Sequence, residues 1–153
     1  MNDADKASLK RLSLAFVRRF AFVPLDIPSA EHYGNVIDRI FSGLDPTIAT
    51  RLTDLQTCVR ALFVDRTTGL GAIGLPMGPG IPLAMIRHGV AEAEVDIARD
   101  VAGIVRSCID LYLIPQFQGR PDKHADISAL LASYYDDLDG FERHLGVWTG
   151  VGV

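Results

Sequence analysis

This chain is poor in the residues that advertise chemistry. Its 153 residues include two cysteines, four histidines and one tryptophan, and aromatics make up 8%. Two cysteines, Cys58 and Cys108, do not build a disulfide scaffold, and a chain of this length does not need one. Both fall in helix-like segments, where free core thiols are the plain reading. A bond between them stays open, because it depends on a Cα separation that spacing does not give. No Gly-x-Ser-x-Gly elbow and no Cys-x-x-Cys pair occurs. His32, His124 and His144 have no Ser, Cys or Asp partner at a motif spacing. Net charge is −4, so no overall basic field invites nucleic acid. Arg18-Arg19 is followed by Pro24, Asp26 and Pro28 rather than by an uncharged run and a small-residue cleavage site. No export signal is read there, and a cytoplasmic location is expected.

What is present is an ordinary globular composition, 48% hydrophobic and 22% charged, which excludes disorder as the main state. One domain over residues 1–153 is expected. Leu9, Leu12, Phe16 and Phe20 recur at helical spacing and predict a first helix over Asp5–Phe20. A linker, Phe22–Pro28, follows. Ser29 caps a predicted helix over Ala30–Ser42 with Tyr33, Ile37, Ile40 and Phe41 on its apolar side. Asp45 and Pro46 start a third, in which Ile48, Leu52, Leu55, Val59 and Leu62 repeat at steps of four and three until Val64–Thr67. A short turn is expected over Leu83–His88 and the longest helix over Val90–Leu113, with Ile97, Val101, Ile104, Cys108 and Leu111 on one stripe and Pro115 as its stop. A fifth helix is predicted over Ala125–Leu138, broken by Gly140. A short turn over Phe141–Leu145 and a Gly/Val-rich tail, Gly146–Val153, come last. No strand pair or repeat is visible. The fold class is therefore all-α, an irregular bundle of about five helices around a Gly/Pro-rich apolar loop.

That loop, Gly69–Pro82, is the most distinctive feature. Eight of its fourteen residues are Gly or Pro, and no charged residue occurs from Thr67 to Ile86. It can continue neither a helix nor a strand, yet it is too apolar for a solvated loop. It needs a surface, in its own fold or in a partner. Its glycines and prolines argue against a membrane-spanning helix. Gly69, Gly71 and Gly74 spell Gly-x-Gly-x-x-Gly, but a helix enters them and prolines follow, the wrong context for a pyrophosphate cradle.

Two polar constellations carry alternatives. His88, Glu92, Asp96 and Asp100 fall at successive i,i+4 positions, a face that suits metal binding in geometry and a hydrated acidic face in composition. Tyr134, Tyr135, Asp136, Asp137, Asp139, Glu142 and His144 form an acidic aromatic cluster, read as a general base site, a contact for a basic partner, or an exposed helix end. Neither supplies a complete catalytic set, so no catalytic, cofactor-binding or metal-ligating residue is assigned.

The stretch Phe22-Val-Pro-Leu-Asp-Ile-Pro-Ser-Ala-Glu-His-Tyr-Gly-Asn-Val-Ile-Asp-Arg-Ile resembles the opening of the gluconate 2-dehydrogenase subunit 3 family, and Tyr112-Leu-Ile-Pro-Gln-Phe-Gln-Gly resembles a later segment of it. Together they span about a fifth of the chain. The resemblance implies a small helical, non-catalytic subunit that stabilises or matures a large flavoprotein of the glucose–methanol–choline oxidoreductase class. FAD would belong to that partner and none to this chain. The family's late Gly-Gly-Asn pattern is absent, where Gln118-Gly119-Arg120 stands. Within this reading Leu75, Pro76, Met77 and Ile81 are the expected partner-binding residues. The alternatives are a stand-alone helical enzyme or ligand-binding protein with an interhelical pocket, and a homodimeric interaction module.

Overall fold

Capping chemistry places the first two helix starts. In the computed structural model, which describes residues 28–151, helix α1 covers Ala30–Ser42 and the Ser29 hydroxyl accepts from His32 N. Helix α2, Pro46–Arg51, starts on the Asp45 carboxylate, which accepts from Thr47 N at 2.8 Å, with Pro46 in the first helical turn. The helix expected over Asp5–Phe20, and all but the end of the linker, lie outside the described residues.

After a kink at Leu52, helix α3 runs over Thr53–Val59 and widens into a π-helical turn at Arg60–Val64. Helix α4 covers Gly80–Val95. Helix α5 covers Val101–Cys108 and also ends in a π-helical turn, Ile109–Leu113, before a 3₁₀ turn at Ile114–Phe117. Helix α6, His124–Leu131, passes through a 3₁₀ turn at Ala132–Tyr134 and an extended connection into α7, Leu138–Thr149. The described residues are all-helical, with seven α-helices and no strand.

Three predicted boundaries move, each for a local reason. One helix spans Gly80–Val95 where a break was expected at Gly89. Gly89 is buried, and a Cβ there would run into the Leu55 side chain, so this glycine allows α4 to cross close to α3. The break falls instead at residues 96–100. There Asp96 accepts from Ala98 N at 3.0 Å, and Asp100 caps α5 through Gly103 N at 3.2 Å. Aspartate side chains that bond nearby backbone N–H groups compete with helix continuation. Arg51 locks the break by donating to the carbonyls of Ala93, Asp96 and Arg99 at 2.7–2.9 Å. Ile97 therefore leaves the predicted stripe and is 82% exposed, and Leu111 is also exposed. The third move concerns Gly140, which lies inside α7 and donates to its capping residue, Asp137, at 2.9 Å. As a result, Gly146–Thr149 is helical rather than tail.

The core lies where α3, α4 and α5 meet, with Leu52, Leu55, Met85, Ile104, Ile109 and Leu113 fully buried. Tyr33, Ile37 and Phe41 seal it from α1, and Phe117, Ile127, Leu131 and Leu145 from the other side. Cys58 and Cys108 are buried and unbonded. Burial pushes both thiols up to about 12, and the Cys108 thiol donates to Met85 O. No helix among the described residues is long and apolar enough to cross a membrane.

Candidate functional site

The Gly/Pro segment begins as the cap of the α3 π turn. Widening the helix end frees carbonyls that need donors. Gly69 N donates to Asp65 O at 3.1 Å and Leu70 N to Leu62 O at 2.9 Å. A Cβ on Gly69 would collide with the carbonyl oxygens of Ala61, Leu62 and Asp65, so the approach requires glycine. The Asp65 carboxylate accepts from the hydroxyls of Thr67 and Thr68 and from Thr67 N, which holds its carboxyl well below the usual range. Leu75 N closes the turn on Leu70 O at 2.9 Å, with Gly74 at φ 75°. These bonds serve a helix end, and no strand precedes the three glycines.

Of the four residues expected to meet a partner, Leu75 lies in the core at 9% exposed. Met77 and Ile81 are half-buried against the core, and Pro76 is exposed. Leu70 and Pro82 are buried as well. The segment thus rests its leucines on its own bundle and turns Pro76, Gly78, Pro79 and Gly80 outward. Tyr33 fastens it from α1, its hydroxyl donating to Met77 O at 3.2 Å, and burial raises that phenol to about 12.

A cleft of about 540 Å³ lies between α5 and α7. Its lining includes Arg99, Arg106, Ser107, Asp110, Leu111, Phe141 and His144. A second cavity, of about 320 Å³, is lined by Cys58, Val105 and Tyr134, among others. The extended connection Tyr135–Asp137 lines the first cavity, and its Asp136 lines both. Asp136 forms an ion pair with Arg106, which lines both cavities. The Tyr135 hydroxyl donates to Asp110 Oδ1 at 2.6 Å and its ring stacks on Phe141, centroids 4.2 Å apart. Burial, with the Asp110 carboxylate second, raises the Tyr135 phenol far above its ordinary value, and burial does the same to Tyr134. The predicted cluster is therefore dispersed: Tyr134 faces α3, Tyr135 faces α7, Asp136 holds Arg106 and Asp137 caps α7.

His88 and Glu92 do share a face, 3.1 Å apart, but Asp96 and Asp100 leave the helix. Among the described residues, no group of three or more His, Cys, Asp or Glu side chains suits a metal ion. Ser107 joins the pair, 3.0 Å from His88 Nε2, and donates to Glu92 Oε1 at 3.2 Å. This is not a nucleophile triad, in which serine and carboxylate take opposite ring nitrogens. Here both lie on Nε2, and the serine proton points to the carboxylate. Arg99 also pairs with Glu92 at 3.1 Å, so the group works as a polar clip between α4 and α5. A second clip joins α6 to α7, where His124 lies 2.8 Å from Thr149 Oγ1 and 3.0 Å from Glu142 Oε2, and Ser128 donates to Glu142. His144 faces the cleft, and His32 bonds the Ser29 cap.

Sequence reasoning missed Arg99, Arg106, Ser107 and Asp110. The signal for two of them was present: Arg106 and Asp110, at i,i+4, interrupt a helix that is otherwise apolar around most of its circumference. No protein-family model, curated protein or solved structure matches this chain.

Proposed function

We propose that this chain is a non-catalytic accessory subunit that binds and stabilises or matures a larger flavin-dependent dehydrogenase of the glucose–methanol–choline class. The observation that carries the binding part is the outer rim of the Gly/Pro segment. From Pro76 to Ile81 it is uncharged and largely exposed, yet it is pinned beneath by Leu70, Leu75 and the Tyr33–Met77 bond. A surface ordered before binding loses less entropy on association than a floppy one. Pro76, Met77 and Ile81 form the contact, and Leu75 supports it from inside the core. The flavoprotein identity rests on the resemblance of Phe22–Ile40 and Tyr112–Gly119 to the subunit 3 family. FAD belongs to the partner.

Purification of the tagged chain from the cells that make it tests this reading. A large yellow flavoprotein should co-purify, and Pro76→Glu with Ile81→Lys should release it. Recovery of the chain as a monomer, with no flavoprotein bound, would refute the proposal.

A further inference from the structure

The Arg106–Asp136 pair leaves part of the guanidinium without a hydrogen-bond partner among the described residues. Asp136 has a 91% exposed side chain, and Arg106 is its only partner among the described residues. The other carboxylates near Arg106 have donors of their own. Asp100 accepts from Gly103 N, Asp110 from the Tyr135 hydroxyl and Asp137 from Gly140 N. Arg106 reaches Asp136 through Nη1 alone. Its Nη2 lies 3.9 Å from Asp100, beyond hydrogen-bond range, so the guanidinium fork is half-employed. Beside it, Leu111 is 57% exposed on the wall of the cleft, an apolar surface that the fold itself leaves uncovered. The cleft has the size of small-molecule sites, which run from about 300 to 1,000 Å³.

We propose that Arg106 anchors a small organic acid in this cleft, that the acid's apolar body covers Leu111, and that Asp136 is a resting stand-in displaced when it binds. Both Nη groups of Arg106 then serve the incoming carboxylate, the bidentate geometry that suits arginine. Asp136 stays tethered beside the site when displaced, so binding adds one negative charge to a cleft that also holds Asp110 and Asp137, and contact with Arg106 and Leu111 has to outweigh that repulsion. His144 supplies a further polar contact on the wall. This site belongs to the chain alone and is independent of any partner.

Titration of the isolated full chain with benzoate and butyrate, followed by amide chemical shifts, tests it, with benzamide and butyramide as neutral controls. The acids should bind and shift residues 106, 107, 135 and 144, while the amides should not. Asp136→Asn removes the competitor and should tighten benzoate binding about two- to fivefold, the factor an exposed ion pair withholds. Arg106→Gln should weaken it at least about tenfold. Equal binding of benzamide, no binding of either acid to Asp136→Asn, or unchanged affinity in that variant would overturn the proposal. Because Asp136 is exposed, the Asp136→Asn result stands even if Arg106→Gln fails to fold.

Discussion

Two segments of this protein cross its helices without regular secondary structure, and they are held by opposite chemistries. Residues 69–79 are fastened mainly by backbone hydrogen bonds and two buried leucines, with one neutral side-chain bond from Tyr33 and no charged residue among them. Residues 135–137 are fastened by side chains: an ion pair, a phenol–carboxylate bond and a helix cap. Backbone capping and apolar burial hold one geometry and respond little to salt. An exposed ion pair is screened and exchangeable. The first crossing therefore suits a fixed surface, and the second suits a site whose occupant changes.

Alkali should strain both crossings and give the largest effect. Tyr33, Cys58 and Cys108 hold their protons to about pH 12 in the folded chain, against ordinary values of 10.0 for tyrosine and 9.0 for cysteine. The folded state then binds more protons than the unfolded one, so stability is complete below about pH 9 and falls as pH rises toward 12. Each buried group contributes about 1.4 kcal/mol for every pH unit it resists, against a typical total of about 5–15 kcal/mol. Urea midpoints at pH 8 and 11 check this, with a large drop expected.

Next comes the backbone-held crossing. Gly69→Val drives a branched side chain into three carbonyl oxygens and should cost about 3 kcal/mol or more. Leu75→Ala should cost about 2–4 kcal/mol through lost burial and the cavity left behind. Pro76→Ser, on the exposed rim, should stay within about 0.5 kcal/mol. Equal midpoints for the leucine and proline variants would erase the distinction between anchor and rim.

The side-chain-held crossing should yield less. Tyr135→Phe removes the bond to Asp110 while keeping the stack on Phe141, at about 1–2 kcal/mol. Asp136→Asn should change stability by no more than about 1 kcal/mol, and the difference should shrink in 1 M salt. A salt-independent loss would show that Asp136 is structural and that the two crossings are held alike.

Helix capping was legible in advance at Ser29 and Asp45, because an N-cap needs only a local oxygen and a free N–H. The core stripe from Leu52 to Leu62 was legible for a similar reason, since period alone puts those residues on one face. Gly89 and Gly140 misled in the same way as each other. A glycine reads locally as a breaker, whereas here one admits the Leu55 side chain and the other leaves room for the Asp137 carboxylate. The cleft was only half legible. Tyr135 and Asp136 stood out as a cluster, but their partners Asp110 and Arg106 lie 25 and 30 residues away.

The amino-acid sequence by itself determined an all-helical chain and an uncharged Gly/Pro segment in need of shelter, because both follow from composition and spacing within a few turns of chain. Only the tertiary structure decided that Leu70 and Leu75 find that shelter at home, and that Arg106 meets Asp136 over a cleft. Those outcomes depend on which helices pack together, and close packing joins residues that no local rule connects.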